Sequence, residues 1–522
     1  MFRYRTGKRL VVSIKPYSVD EFLQKCSSKR VVSVIHEVFS GTESPVTVFD
    51  KVAKHNSGSF LLESADQGVW SRFSFIGVDA RGRLLQDHNG VVTWESLDGS
   101  GALPSNIGES LSSDGLTALQ QLQSSWFTQF KEMEVPLLSG LVGHISWDVV
   151  SDLENIEVKV AKVKPLPRVS FSMFKNLIVV DHQSATLLFV SNVFIEGQSI
   201  SELTKLHAQA MDSISTMQRA VLAPSDPYLA EVSLDQDPNA SPNVDLELFL
   251  SMVDRAKEHV VRGDVFQVVL SQSFTAEVQV DPLDVYRVLR ALNPSPYMYL
   301  INGADQFGDY AIVGSSPEAL VTVTGDSVIT HPIAGSRPRG KDWDEDHTFE
   351  EQLLADKKET AEHLMLVDLA RNDLLKVCEP NSVAVTEFMQ VHRFSHIMHL
   401  VSTVEGQLRK NLTPIDVFRA TFPAGTLSGA PKPKALAIIE QLETTARGLY
   451  GGVCGYFDFA GNADLAIAIR TAVIRGNEAT VQAGAGIVLD SNPTSEFEET
   501  KSKARAILRA IAAANSAKRI GK

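Results

Sequence analysis

The chain has 522 residues, 44% of them apolar and 21% charged, with a net charge of −14. That is the balance of a folded globular protein with one large or two ordinary domains, and its acidity argues against a nucleic-acid partner, which calls for a basic surface. Three scattered cysteines (Cys26, Cys378, Cys454) suit neither a disulfide framework nor a zinc site, the N-terminal apolar run from Leu10 to Ile14 is too short for a signal segment, and no stretch approaches a membrane span. The chain reads as a cytoplasmic enzyme or binding protein.

Strand signals dominate the N-terminal part. Residues 70 to 76 alternate apolar and polar, Asn89-Gly90 reads as a hairpin turn, and Leu97 to Asp114 reads as a loop. Residues 169 to 174 and 185 to 190 read as strands. Residues 222 to 243, rich in Pro, Asp, Ser and Asn, are the clearest linker, dividing an N-terminal part (1–225) from a C-terminal part (244–522) that packs intimately against it. Beyond the linker, Val244 to Val261 reads as an amphipathic helix stopped near Gly263, followed by a strand from Val265 to Ser271. Asp281-Pro282 and Thr413-Pro414 are helix starts, each a capping residue before a proline at the first helical position. Gly325-Asp326 and Gly461-Asn462 read as further hairpin turns, and Lys432 to Thr445 as a helix. Strands and helices do not alternate strictly, which predicts an α+β fold: large mixed, mainly antiparallel sheets with outer helices.

Two acidic pairs carry the first chemical signal. Glu359 and Glu362 lie three residues apart in a segment whose Ala361, Leu364, Met365 and Leu369 recur at helical spacing, and Glu496 and Glu499 repeat the arrangement ahead of an alanine-rich helical run. Residues i and i+3 share a helix face, so each pair can point into one site and together hold a hard divalent cation; two solvated helix faces are the plainer alternative. Three glycine-rich segments, 334 to 340, 424 to 431 and 482 to 487, offer backbone N–H groups that suit an anion, although such turns are common. His399 lies among apolar residues, where a histidine is more often a core residue than a catalyst. Nothing matches a Ser-His-Asp hydrolase, a phosphate-binding lysine loop or a dinucleotide fingerprint.

Taken together, Pro332-Ile-Ala-Gly-Ser-Arg-Pro-Arg-Gly340, the run from Glu359 to Asp373, Met398-His-Leu-Val-Ser402, Pro423-Ala-Gly-Thr-Leu-Ser-Gly-Ala-Pro-Lys432 and Leu449-Tyr-Gly-Gly-Val453 resemble the chorismate-utilising enzymes, and among them the anthranilate synthase component I group. The resemblance spans residues 244 to 515 and extends more loosely to Phe60-Leu-Leu-Glu-Ser64, residues 71 to 77 and residues 141 to 148. It implies that Glu359, Glu362, Glu496 and Glu499 bind Mg2+, with Glu362 and Glu499 foremost as direct ligands. It implies that Tyr450 and Arg470 hold the enolpyruvyl carboxylate of chorismate, and that Thr426, Gly484, Gly486, Gly335, Ser336 and Lys503 surround the same substrate. Ser336 replaces the threonine more usual in the family and keeps the hydroxyl.

Two positions bear on the reaction. Relatives that add water carry a lysine base where this chain has Gln267, and aminodeoxychorismate synthases typically carry a nucleophilic lysine where it has Ala334. Both substitutions point to direct attack by ammonia, and hence to anthranilate and pyruvate, with Glu318 as the acid for the departing C4 hydroxyl and His399 acting in the later elimination. Aminodeoxychorismate synthesis and a non-catalytic tryptophan-binding protein are the competing readings. No cysteine sits in a glutaminase-like elbow, so the resemblance implies that a separate glutamine amidotransferase subunit supplies ammonia. It also implies a tryptophan feedback site built from Glu63, Ser64, Pro296, Tyr297 and Met298.

Overall fold

The computed structural model describes residues 14–520 apart from 42, 55, 65–71, 100–102, 104–109, 129–134, 155, 157–163, 225–227, 235, 237 and 394–396. Trp70 and Ser71, half of the expected loop from Leu97 to Asp114, most of the N-terminal apolar run and parts of the linker therefore lie outside the described residues.

The fold is α+β. Among the described residues, 21 strands join in one continuous antiparallel network, with helices packed on its outer faces. The long strand Phe73–Gln86 lies between Val169–Asp181 and the short strand Val92–Ser96, and the turn at Gly90 (φ +84°) joins it to the latter. The sheet also crosses the linker. Phe60–Glu63 pairs with Tyr297–Asp305, placing Glu63 opposite Met298, and Gly140–Ile145 pairs with Val453–Asp458. The linker itself is not featureless: Ala240–Pro242 forms a short strand against Gln267–Glu277, and the 23-residue helix Ile200–Leu222 precedes it. That helix was not anticipated, although Ser199 and Glu202 form a complete capping box at its start.

The elements that frame the largest concentration of candidate site residues lie after the linker. Strand Gln267–Glu277 starts two residues later and runs six residues further than the sequence reading, because it pairs with Glu478–Ile487 from Val268↔Ile487 to Glu277↔Glu478. Helix Lys357–Leu375 is started by Asp356, whose carboxylate accepts the backbone N–H of Lys358 and Glu359. Helix Pro493–Asn515 begins with Asn492 as cap and Pro493 in its first turn, and buries Ala504, Ile507, Leu508, Ala510 and Ile511. Small alanines let that helix lie close against the sheet while its first two turns keep the carboxylates at the rim. Helix Lys432–Leu442 is shorter than expected, ending three residues before Thr445.

Candidate active site

Glu318 follows the strand Gly308–Ser316 and is partly buried, with its carboxyl turned away from water. The hydroxyl of Thr426 donates to its Oε1 at 3.0 Å. Burial pushes this carboxyl up to about 7, against the smaller opposing effects of Thr426, Lys503 and Arg470. Arg470 sits in the left-handed region (φ +49°), largely buried, and makes no ion pair among the described residues. A desolvated guanidinium of that kind suits a carboxylate ligand.

His399, on the strand Ile397–Gln407, directs Nδ1 to the carbonyl oxygen of Gly335 at 2.9 Å. A carbonyl only accepts, so Nδ1 carries the proton and Nε2 is the basic nitrogen. Burial lowers the pKa of this ring below its ordinary value. Gly335 adopts φ +66°, and a Cβ there would stand 3.2 Å from Glu359 Oε2, so glycine brings the turn against the acidic helix. Ser336 is the register partner of His399 across the ladder and is exposed.

The opposite wall is the paired strands Gln267–Glu277 and Glu478–Ile487. The amide Nε2 of Gln267 donates to Glu362 Oε1 at 3.2 Å, while its Oε1 is buried with no hydrogen-bond partner. A Cβ on Gly486 would lie 2.6 Å from Gln267 Nε2, and one on Gly484 would lie 2.6 Å from the hydroxyl oxygen of Tyr450. Both glycines therefore leave room for a neighbouring side chain. Lys503 Nζ donates to the Gly484 carbonyl at 3.0 Å and pairs with Glu499 at 2.7 Å. Tyr450 is buried, which raises its pKa well above the ordinary value.

The four acids stand as two pairs. Burial, and then the charge of Glu362, raise Glu359; burial raises Glu496, with a further push from Glu499. Among the described residues no group of three or more His, Cys, Asp or Glu side chains is drawn together as a ready-made metal cage. All four donors are carboxylate oxygens, the donor type a hard dication takes, and the like charge within each pair favours a bound cation.

Residues 59–509 match the model of the chorismate binding enzyme family. The anthranilate synthase component 1 of Arthrobacter globiformis is 45% identical over 506 residues, covering 95% of this chain and 93% of that protein. The chain belongs to the chorismate-binding enzyme family. The Mycolicibacterium smegmatis anthranilate synthase component 1 is 44% identical, covering 95% of this chain and 94% of that protein. Among solved structures, anthranilate synthase component I from Streptococcus pneumoniae superposes with a TM-score of 0.73 at 33% identity, covering 90% of this chain and 99% of that one.

Of the residues that family resemblance implicates in tryptophan binding, the fold brings Glu63 and Met298 together as cross-strand partners. Glu63 is already engaged: its Oε2 accepts from the Tyr286 hydroxyl at 2.6 Å and from Arg290 Nε at 3.2 Å. Tyr297, next along the strand from Met298, donates its hydroxyl to Asp464 at 3.0 Å. The Ser64 hydroxyl is buried without a hydrogen-bond partner among the described residues. The sequence reading of this chorismate-binding enzyme passed over Glu443 and Arg447, a buried ion pair behind the Gln267 strand. Their i, i+4 charges between Leu442 and Gly448 were the available signal, although the helix ends at Leu442 before reaching them.

Proposed function

We propose that this chain is the ammonia-using component of an anthranilate synthase, converting chorismate and ammonia to anthranilate and pyruvate. The observation that carries the reading is the Gln267 amide at Glu362, seated in the space that Gly486 leaves beside it. An amide has no useful basicity, so it cannot activate water, whereas free ammonia already has a lone pair to attack C2. Ala334, which carries no amine, supports the same reading over aminodeoxychorismate synthesis.

As ammonia adds at C2 the ring double bond shifts and the C4–O bond breaks. The hydroxyl leaves as water with the proton of Glu318, whose carboxyl, raised to about 7, still has a proton to give at neutral pH. Thr426 holds that carboxyl in position. The added nitrogen sheds its extra proton; His399 Nε2 then takes the C2 proton while the C3–O bond breaks, the group leaves as enolpyruvate and takes up a proton at its methylene carbon to become pyruvate, and aromatisation makes this half strongly downhill. Arg470 and Tyr450 hold the enolpyruvyl carboxylate, and the turn at Gly335 and Ser336 lies under the ring carboxylate. Glu359, Glu362, Glu496 and Glu499 would hold Mg2+, whose charge withdraws electron density through the ring carboxylate.

A glutamine amidotransferase subunit is the proposed source of ammonia. Tryptophan is the proposed feedback inhibitor, with Ser64 and the turn from Pro296 to Met298 as anchors; the buried, unpartnered Ser64 hydroxyl supports this placement. The test is direct. Purified chain with chorismate, Mg2+ and ammonium should produce anthranilate fluorescence and pyruvate, and should use glutamine only after a partner subunit is added. Isochorismate or aminodeoxychorismate as the end product would overturn the assignment.

A further inference from the structure

We infer that the buried Glu443–Arg447 pair positions the reaction site by standing in for a missing strand beside Gln267–Glu277. On its second edge that strand is covered at Gln267–Val268 by Gly429–Ala430 and at Phe274–Ala276 by Ala240–Pro242. Between them, three groups near the gap are met by the ion pair. The Ser271 N–H and hydroxyl both donate to Glu443 Oε1 at 2.8 Å, and the Val269 carbonyl accepts from Arg447 Nη2 at 2.9 Å. The two side chains lock each other through a fork, Arg447 Nη2 to Glu443 Oε1 at 2.7 Å and Nε to Oε2 at 3.0 Å. Donor and acceptor thus alternate along the edge as they would on a neighbouring backbone.

The same fork reaches the other parts of the site. Arg447 Nη1 donates to the carbonyl of Leu427, the residue after Thr426, at 2.7 Å. The guanidinium stands 4.3 Å from the Trp147 ring centroid and 5.5 Å from that of Tyr450, and the Arg447 carbonyl accepts the Tyr450 N–H. The segments carrying Gln267, Thr426 and Tyr450 are therefore tied to one buried group. Both side chains are almost wholly buried, so solvent cannot replace the bonds if the fork is lost. Glu443 and Arg447 are positioning residues: they set the spacing between the amide at one end of chorismate and the acid at the other.

The inference rests on the proposed ammonia-dependent reaction, so the parent chain is assayed first, and a failure there belongs to that reading alone. Glu443→Gln and Arg447→Lys are then compared with the parent in chorismate, Mg2+ and ammonium, alongside thermal melts. A shift of the order of 1 Å in reacting groups costs about a hundredfold. The expected result is therefore a folded variant whose kcat/KM for chorismate is about a hundredfold down, with a raised KM, and no recovery on cooling. Folded variants with parental constants would overturn the inference. So would losses confined to kcat that track the unfolded fraction and vanish in the cold. Should neither variant fold, Ser271→Ala decides: it removes the hydroxyl's bond to Glu443 Oε1 and the one it accepts from Gln482 Nε2 while leaving both charges paired, and should fold with kcat/KM lowered at least about tenfold, the worth of one buried hydrogen bond. Unchanged constants in Ser271→Ala would then reject the positioning role.

Discussion

Replacing Thr426 by valine keeps the shape of the side chain and removes the hydroxyl that donates to Glu318 Oε1 at 3.0 Å. The carboxyl stands at about 7 because burial raises it more than this bond lowers it. A hydrogen bond to an ionised carboxylate is worth about 1.5–3 kcal/mol and to a neutral carboxyl about 1 kcal/mol. Deleting it therefore penalises the charged form by about 0.5–2 kcal/mol more than the neutral form, which at about 1.4 kcal/mol per pH unit raises the pKa by about one unit. Glu318 works as an acid, so its activity is present below its pKa and is lost as pH rises through it. The alkaline limb of kcat should accordingly move from about 7 in the parent to about 8 in Thr426→Val. The measurement is initial anthranilate fluorescence at saturating chorismate and Mg2+, with total ammonium adjusted so that free ammonia stays constant across the pH series. Glu318→Gln is the control and should erase the limb, with kcat reduced about 10²–10⁴-fold, the usual contribution of general acid catalysis. A limb that stays in place or moves to lower pH in Thr426→Val would show that Glu318 is not the acid the profile reports.

Glu362→Gln and Glu499→Gln should each abolish Mg2+-supported turnover with little change in melting temperature, because the Lys503–Glu499 pair is about half exposed and such pairs contribute about 0–1 kcal/mol; near-parental activity at limiting Mg2+ would refute the ligand assignment. Gly484→Ala brings a methyl to 2.6 Å from the Tyr450 hydroxyl oxygen and 2.8 Å from the Leu270 carbonyl, so chorismate KM should rise at least about tenfold as Tyr450 is displaced; an unchanged KM would exclude Tyr450 from the substrate. Ser64→Phe should relieve tryptophan inhibition while leaving uninhibited activity near parental. Since coupling between two sites is reciprocal, chorismate should also weaken tryptophan binding in the parent by calorimetry, and absence of any tryptophan heat would make the 60–64 strand purely structural.

The sequence by itself determined what depends on near neighbours. Proline after a capping residue at Asp281 and Thr413 starts helices in the fold, and glycine at 90, 325 and 461 turns hairpins, because caps and positive φ are properties of a few consecutive residues. The i, i+3 spacing of Glu359 with Glu362, and of Glu496 with Glu499, was legible for the same reason, and the long motifs identified the family. Boundaries were less so: the helix from Lys432 stops at Leu442, and the strand from Gln267 runs on to Glu277, where its partner strand sets the length. Tertiary structure alone decided the chemistry of individual groups. Glu318 is an ordinary acid in the sequence and reaches about 7 only because the fold removes it from water. Gln267 meets Glu362 across 95 residues of chain, and Glu443 with Arg447 fills a strand edge formed by residues more than 170 positions earlier. Desolvation and cross-strand register are sums over contacts distant in sequence, and no local pattern encodes them.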